Sequence, residues 1–336
     1  MSTGVARRAL VARLDSDGDV LLAGPAVRAV AAGSEHVTLL VSPSGEQAAR
    51  LLPGVDKVLV WRCPFTGFVP PPVDADDTLA LVERLRGHDV AVVLTSYHQS
   101  PLPLALLLRL AGVPRIVASS TDYPGSLLDV RHPPGGPHEV QRGLSLAAAA
   151  GFALPSGDDD RLQVRRPLPP VTVDSPYVVV HPSASVPARA PLPAHAARLV
   201  QALAEAGHQV VVTGGPADVA LAEQVAGDSG TSIAGATTFA QLAGVLAGAS
   251  ALVCGNTGPA HLAAAVGTPV VSLFAPVVAA EAWRPWGVPT VLLGDQGAAC
   301  AASRARACPV AGHPCLSGID PADVVRAVEQ VALVAA

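Results

Sequence analysis

Short apolar runs alternate with longer amphipathic stretches along the chain, and their spacing predicts its secondary structure. In the first half, strands are expected at 9–14, 36–41, 58–60, 90–95 and 115–117. Helical periodicity fills the intervals, at 20–32, 45–52, 78–86 and 102–110, and it returns at 138–150. Regular alternation of strand and helix is typical of a parallel, doubly wound sheet.

The same alternation restarts in the second half of the chain. Strands are predicted at 177–181, 209–213, 231–234, 251–254 and 268–274. Helices are predicted at 194–206, 217–226, 239–246, 259–266 and 321–334. Two Rossmann-like halves of this kind place a ligand cleft between the carboxyl ends of their strands.

Two stretches interrupt the alternation. The stretch 118–137 is rich in Ser, Asp, Gly and Pro and is too long for a plain connection, so we interpret it as a binding loop or a disordered segment. The stretch 155–176 contains an Asp triplet, an Arg pair and a proline cluster, which is typical of a linker. We therefore predict an N-terminal domain at 1–155, a linker at 156–176, a C-terminal domain at 177–318 and a final helix within 319–336.

Composition narrows the classes of function. Of the 336 residues, 50% are hydrophobic and only 3% are aromatic, so Ala, Val and Leu must build the interior. The net charge of -5 argues against nucleic-acid binding, which normally needs a concentrated basic face. No apolar run reaches the length of a membrane span, and the N-terminal apolar stretch is too short for a secretory signal. We expect a cytoplasmic protein, for which peripheral contact with a membrane stays open.

The segment 249–276, ASALVCGNTGPAHLAAAVGTPVVSLFAP, carries the clearest chemical pattern. A strand runs into the turn 255–258, and a helix then starts at Pro259 and ends at Gly267. Such a helix start offers free N–H groups and the positive end of a dipole to a phosphate, and His261 could add a donor. Asn256 or Thr257 is expected to cap the helix. A simple strand-turn-helix unit would also need the glycine turn, so the pattern alone leaves both interpretations open.

Three further constellations are candidates for chemistry. Three acidic residues in Arg13-Leu14-Asp15-Ser16-Asp17-Gly18-Asp19 either cap a helix or include a general base. His181-Pro182-Ser183-Ala184-Ser185 follows a strand, and Arg189 beyond it would by itself be interpreted as an ordinary solvated loop arginine. Thr213-Gly214-Gly215 is a glycine turn that would let a nucleotide approach the backbone, although a tight turn explains it nearly as well.

The cysteines are more typical of structural thiols than of catalytic ones. Cys300, Cys308, Cys315 and His313 have the chemistry of zinc ligands, but their spacing lacks a CxxC knuckle. Reduced structural thiols are the favoured interpretation, and we predict no metal site. The sequence contains no G-x-S-x-G, GxGxxG or Walker motif, which argues against hydrolases, dinucleotide enzymes and P-loop proteins.

The motif GNTGPAHLAAAVGTPVVSLFAP closely resembles the donor-site signature of the family 9 glycosyltransferases, which are heptosyltransferase-like enzymes. Asn256 stands where many members have Asp. The resemblance implies Asp19 as catalytic base and acceptor contacts from Ser16, Gly18 and Tyr97. It implies donor contacts from His181, Ser183, Ser185, Arg189, Thr213, Gly214, Gly215, Asn256, Thr257, Gly258, Pro259 and His261.

The resemblance also implies a fold and a reaction. The fold would be GT-B, an α/β architecture of two facing Rossmann-like domains with parallel sheets and a central cleft, and the last helix would cross back to the N-terminal domain. The reaction would be an inverting, metal-independent transfer of a heptose from ADP-heptose, a substrate and not a cofactor. The acceptor would be a small molecule, glycan or glycolipid. A non-catalytic nucleotide-sugar binding protein and a nucleotide-sugar 2-epimerase are the alternatives.

Overall fold

The structure, a computed structural model, describes residues 6–67, 69–96, 99–170, 173–174 and 176–335. The chain divides into two compact units, Met1–Arg165 and Arg166–Ala336. Each unit has its own parallel sheet of six strands with flanking helices, so the predicted α/β class and the two Rossmann-like sheets are confirmed. Among the described residues, a search for a helix that could span a membrane finds none.

The first unit follows the predicted alternation. Its strands are β1 Ala9–Arg13, β2 Val37–Val41, β3 Lys57–Val60, β4 Val90–Leu94, β5 Arg115–Ser119 and β6 Val130–His132. Its helices are α1 Asp17–Leu22, α2 Gly24–Ala32, α3 Glu46–Leu51, α4 Ala75–Leu85, α5 Leu102–Leu110 and α6 Glu139–Ala149. The strand order is β3-β2-β1-β4-β5-β6, and all neighbours run parallel.

The second unit repeats the pattern. Its strands are β7 Val178–His181, β8 Val210–Val212, β9 Thr231–Ser232, β10 Ala251–Gly255, β11 Val270–Leu273 and β12 Thr290–Leu293. Its helices are α7 Pro193–Glu205, α8 Val219–Ala226, α9 Phe239–Ala247, α10 Gly258–Val266, α11 Ala280–Trp283, α12 Pro314–Ser317 and α13 Pro321–Ala335. The strand order is β12-β11-β10-β7-β8-β9, which is the order of the first unit read from the other edge.

The strand order creates one switch point in each sheet. In the first unit the order reverses between β1 and β4, where Arg13 pairs with Leu94. In the second unit it reverses between β7 and β10, where His181 pairs with Cys254. Open α/β sheets bind ligands at the carboxyl ends of the strands beside such a point. Each unit therefore has a position that is prepared for a ligand.

Small apolar residues fill both cores, as the composition requires. Every residue of the central strands β1, β4, β7 and β10 is buried, because helices cover both faces of a parallel sheet. Val324 and Val328 of helix α13 are fully buried in the core of the second unit. The predicted crossing of this helix to the first unit stays a prediction.

Two local predictions are wrong. The single helix expected at 20–32 is divided into α1 and α2, because Pro25 has no N–H and its ring clashes with the carbonyl of an uninterrupted helix. The disordered alternative for the stretch 118–137 is also wrong, since this stretch contains the edge strand β6 paired with β5, and its binding role stays a prediction.

The segment that follows α6 is anchored to the first unit as far as Arg165. The Arg28 guanidinium donates to the Asp158 carboxylate at 2.7 Å and 2.8 Å. The Arg165 amide donates to the Leu51 carbonyl at 2.7 Å. These contacts attach the acidic part of the predicted linker to the body of the first unit.

Candidate functional site

A buried charged cluster lies at the switch point of the first unit. Arg13, the last residue of β1, is 4% exposed. Its guanidinium lies 2.8 Å from the Asp15 carboxylate and 3.2 Å from both the Asp19 and the Glu139 carboxylates. It also donates to the Ser96 hydroxyl at 3.2 Å. Burial by itself would lower the pKa of Arg13, but the three carboxylates raise it above its ordinary value, so this residue is a permanent cation.

Asp19 is held in the first turn of α1. Its carboxylate accepts hydrogen bonds from the Ser16 hydroxyl at 2.8 Å and from the Ser16 amide at 3.3 Å. Arg13 binds its other oxygen, yet 20% of the Asp19 side chain stays exposed. Asp19 is therefore both oriented and accessible, which a general base requires.

The other two acids of the same run have different partners. Asp15 accepts from the Gln99 amide at 2.6 Å and from the Ser96 hydroxyl at 3.3 Å. Asp17 accepts from the Ala48 amide at 2.9 Å and so ties α1 to α3. Burial raises the pKa of Asp15, and it raises the pKa of Asp17 to about 6. The run thus combines a candidate base with two carboxylates that have structural partners.

A pocket adjoins this cluster within the first unit. Apolar residues of β4 and α6 line part of it, and its polar lining comes from Arg13, Thr95, Gln99, residues 119–121, Glu139 and Arg142. Glu139 lies in the first turn of α6, where the helix dipole favours a negative charge. Its carboxylate joins the two arginines, since it accepts from Arg13 at 3.2 Å and from Arg142 at 2.9 Å.

In the second unit, a chain of hydrogen bonds connects the ends of β7 and β8. The Ser183 hydroxyl donates to the Asp218 carboxylate at 2.9 Å, and the Gly215 amide donates to the same oxygen at 2.9 Å. Ser183 has one proton to donate, so its hydroxyl accepts from Nε2 of His181 at 3.1 Å. Nδ1 of His181 then accepts from the Thr213 hydroxyl at 3.0 Å. This network sets the tautomer of His181 and fixes the glycine turn.

His181 is uncharged in this network. Burial lowers its pKa to about 4, and the Asp218 carboxylate opposes this shift only in part. A neutral imidazole cannot neutralise a diphosphate by charge. Its contribution at this position is to hold the backbone that follows β7.

The end of β10 and the start of α10 form the second half of this region. A Cβ atom added at Gly255 would overlap the carbonyl oxygen of Arg189, so the strand end and the 3-10 turn Pro187–Arg189 touch through their backbones. Thr257 is the N-cap of α10, but its side chain makes no capping hydrogen bond, so the predicted side-chain cap is wrong. His261 lies in the first turns and is 6% exposed.

Asn256 is the single asparagine of the chain, and it precedes this helix start. The residue is 6% exposed, and neither amide atom of its side chain has a hydrogen-bond partner among the described residues. Buried polar groups are rarely left without partners, so each exception needs an explanation. The unpartnered amide therefore points to a ligand at the beginning of α10.

The structure places the sequence-predicted residues in two groups. Asp19, Ser16 and Gly18 lie together in the first unit, and Tyr97 lies outside the described residues. The donor candidates lie in the second unit, where Ser183 and Thr213 are buried in the network and Ser185 is exposed. No role was predicted for Gln99, Glu139 or Arg142, because Gln99 and Glu139 meet Asp15 and Arg13 only in the folded chain and Arg142 joins the cluster through Glu139.

The cysteine-bearing tail is packed into the second unit. Cys300, Cys315 and His313 are buried, and burial raises the pKa of the Cys315 thiol to about 11. Within the described ranges, no group of three or more His, Cys, Asp or Glu residues is arranged to hold a metal ion. These thiols belong to the packing of the tail.

Comparison with known proteins adds a family assignment. The profile of glycosyltransferase family 9 (heptosyltransferase) matches residues 78–313. Lipopolysaccharide heptosyltransferase 3 of Escherichia coli (strain K12) is 32% identical over 164 residues, which cover 45% of this chain and 47% of that protein. The match therefore spans about half of the length of this curated relative.

Two solved structures share the fold over nearly the whole chain. One is a family 9 glycosyl transferase from Veillonella parvula DSM 2008, with a TM-score of 0.77 and 16% identity over 99% of both chains. The other is the ADP-heptose lps heptosyltransferase II of E. coli, with a TM-score of 0.71 and 20% identity over 97% of this chain and 98% of that one. At these identities the likeness establishes the fold.

Proposed function

Since the chain belongs to glycosyltransferase family 9 (heptosyltransferase), we propose that it transfers a heptose from ADP-heptose to an acceptor hydroxyl with inversion at the anomeric carbon. The observation that carries the proposal is the oriented, accessible carboxylate of Asp19 at the switch point of the first sheet. The names of a heptosyltransferase relative and of an ADP-heptose transferase of the same fold support the choice of donor.

In the proposed reaction, Asp19 takes the proton of the acceptor hydroxyl as its oxygen attacks the anomeric carbon. A new C–O bond forms while the bond from that carbon to the diphosphate breaks, and ADP leaves with the electron pair. A positioned base of this kind contributes about 10²- to 10⁴-fold to the rate. The Ser16 hydrogen bonds and the Arg13 ion pair keep the Asp19 carboxylate in one orientation.

The leaving diphosphate is bound at the start of α10 in this proposal. Amide groups of the first turn and the positive end of the helix dipole stabilise the negative charge that develops there. Arg189 lies beside this point, because its backbone packs against Gly255. Asn256 supplies one hydrogen-bond donor and one acceptor to the bound nucleotide sugar. No metal ion takes part.

The test combines turnover with binding. We expect Asp19→Asn to lower the rate of ADP release from ADP-heptose, in the presence of an accepted acceptor, by about 10²- to 10⁴-fold. Affinity for ADP, measured by calorimetry, should stay unchanged. Asp228→Asn is the matched control, because Asp228 is exposed on the second unit. EDTA should not change the rate of the wild-type protein.

Product analysis separates the alternatives. A glycoside of inverted configuration supports the transferase, and an epimerised nucleotide sugar would identify an epimerase. Binding of ADP-heptose without any product from a broad acceptor panel would identify a non-catalytic binding protein. Full turnover of the Asp19→Asn variant would reject the proposed base.

A further inference from the structure

The pocket beside Arg13 and Glu139 is lined by apolar side chains and by neutral polar groups as well as by charged residues. Val93, Leu94 and Leu146 line it from β4 and α6. Neutral polar side chains also line it, namely Thr95, Gln99, Ser119, Ser120 and Thr121. Apolar surface with a few placed hydrogen-bonding groups suits a ligand that has C–H faces and hydroxyl groups. A polyol therefore fits the chemistry of this wall.

The arginines that line the pocket are already paired with a carboxylate. Among the described residues that line it, the cations are Arg13 and Arg142, and both bind the carboxylate of Glu139. Behind the lining, Arg13 also binds Asp15 and Asp19. Together, the two arginines and the three carboxylates of this cluster carry one net negative charge. Burial raises the pKa of Asp15, and its protonation would bring this sum to zero and not to a positive value.

The neighbouring charges do not change this sum. Arg131 donates to the backbone carbonyls of Ser120 and Thr121, at 2.9 Å and 2.7 Å. Asp122 follows in the same segment, and both side chains are exposed. They add one charge of each sign at the pocket rim. His132 lies close by in β6, where its Nε2 pairs with the Ser145 hydroxyl at 2.7 Å.

A phosphate or carboxylate group would be poorly accommodated here. Binding removes part of its hydration, and this cost needs a compensating cation that is not already neutralised. The arginine forks that normally bind such groups are directed at Glu139, Asp15 and Asp19. An amine, in contrast, would meet a site with a small negative surplus.

We propose that this pocket binds the acceptor and selects a polyol without phosphate or carboxylate groups, either uncharged or amine-bearing. The inference rests on the proposed transferase function, because it defines the class of acceptor whose hydroxyl Asp19 activates. Asp19 adjoins the pocket through Arg13, whose guanidinium both lines the wall and binds the Asp19 carboxylate.

The first test measures binding of three probes that differ in charge and share a hexose ring. Methyl glucoside, glucosamine and glucose 6-phosphate are titrated into the whole chain and followed by saturation-transfer NMR, which detects weak ligands. We expect glucose 6-phosphate to bind at least about tenfold more weakly than the other two, a difference of about 1.4 kcal/mol. Equal or tighter binding of the phosphorylated sugar overturns the inference, as does the absence of binding by all three probes.

The second test adds a positive charge to the pocket. Ser120→Lys adds a cation at a half-buried lining position, so glucose 6-phosphate should gain about tenfold relative to methyl glucoside. Ser126→Lys is the matched control, because Ser126 is exposed on the same segment and does not line the pocket. If both variants respond alike, the selection does not come from this pocket and the inference fails.

Binding to the free protein needs no turnover, so the two proposals can fail separately. If the charge preference is found and ADP-heptose is never consumed, the transferase function is wrong and the pocket is a polyol site of another kind. If transfer occurs and phosphorylated acceptors are preferred, the transferase stands and the charge inference is wrong.

Discussion

The Arg13 guanidinium lies 3.2 Å from the Asp19 carboxylate, across the turn from β1 to α1. The same guanidinium binds Glu139, which is 126 positions away in the sequence. The proposed base, Asp19, is thus held by Arg13, and Arg13 is itself held by Glu139 of helix α6. This relationship makes Arg13 a positioning residue and connects the base to the pocket wall.

Replacement of Arg13 by Met leaves Asp15, Asp19 and Glu139 without their common cation. Removing one partner of a buried ion pair typically costs about 3–5 kcal/mol, so we expect the free energy of unfolding to fall by that amount. Arg13→Lys keeps the charge and should lose less. Urea denaturation at pH 7 measures both. The exposed Arg326→Met should stay within about 0.5 kcal/mol of the wild type, and an equal effect of the two Met variants would contradict the role of the cluster.

His181 predicts a pH dependence of stability. Its pKa is lowered from 6.5 to about 4 in the folded state, so the unfolded chain binds a proton that the folded chain does not. The free energy of unfolding is at its full value with respect to this group above pH 6.5. It decreases as the pH falls towards 4, by at most about 1.4 kcal/mol per pH unit. Asp17, whose pKa burial raises to about 6, titrates over the same range with the opposite effect on stability. The His181 effect is therefore measured as a difference between variants, from denaturation midpoints between pH 7.5 and 4.5. Relative to the wild type, His181→Asn should gain stability as the pH falls, whereas His36→Asn, at a half-exposed position, should follow the wild type.

Gly255 is predicted to tolerate no side chain. Gly255→Ala would push its Cβ into the Arg189 carbonyl, and the backbone shift should cost about 1–3 kcal/mol and weaken ADP binding. Thermal unfolding and calorimetry with ADP measure the two effects. Gly297→Ala is the control, because a Cβ there meets its nearest atom at 3.4 Å, an ordinary contact. Unchanged ADP affinity of Gly255→Ala would show that the Arg189 turn is not part of the donor site.

Asn256→Ala separates a binding residue from a structural one. An unpartnered buried amide costs about 1–3 kcal/mol, so its removal should leave the free protein equally stable or slightly more stable. Affinity for ADP-heptose should fall about tenfold, because the ligand loses its two hydrogen bonds. Thermal shifts with and without ADP-heptose measure both quantities. The exposed Gln224→Ala should change neither, and a strong destabilisation of the free Asn256→Ala protein would speak for a structural role.

Several elements could be predicted from the sequence because their signals are local. Strands such as Val90–Leu94 are fully buried and therefore appear as unbroken apolar runs between amphipathic helices. The segment from Ala251 to Gly267 contains a strand, a glycine turn and a helix with its αL end, so its geometry follows from neighbouring residues. The short edge strand Val130–His132 was missed, since its three residues have little periodicity of their own.

The sequence by itself determined the alternation of strands and helices, the family signature and the position of Asp19 at a helix start. Only the tertiary structure decided which partner each acid of the run 15–19 receives, and that Glu139 and Arg142 complete the pocket. The physical reason is that these contacts depend on the strand order, which brings β1 beside β4, and on the packing of α6 against β4 and β5. A hydrogen bond between residues more than a hundred positions apart produces no periodic pattern in the sequence. Burial of one face of a strand or helix does produce such a pattern of hydrophobic positions.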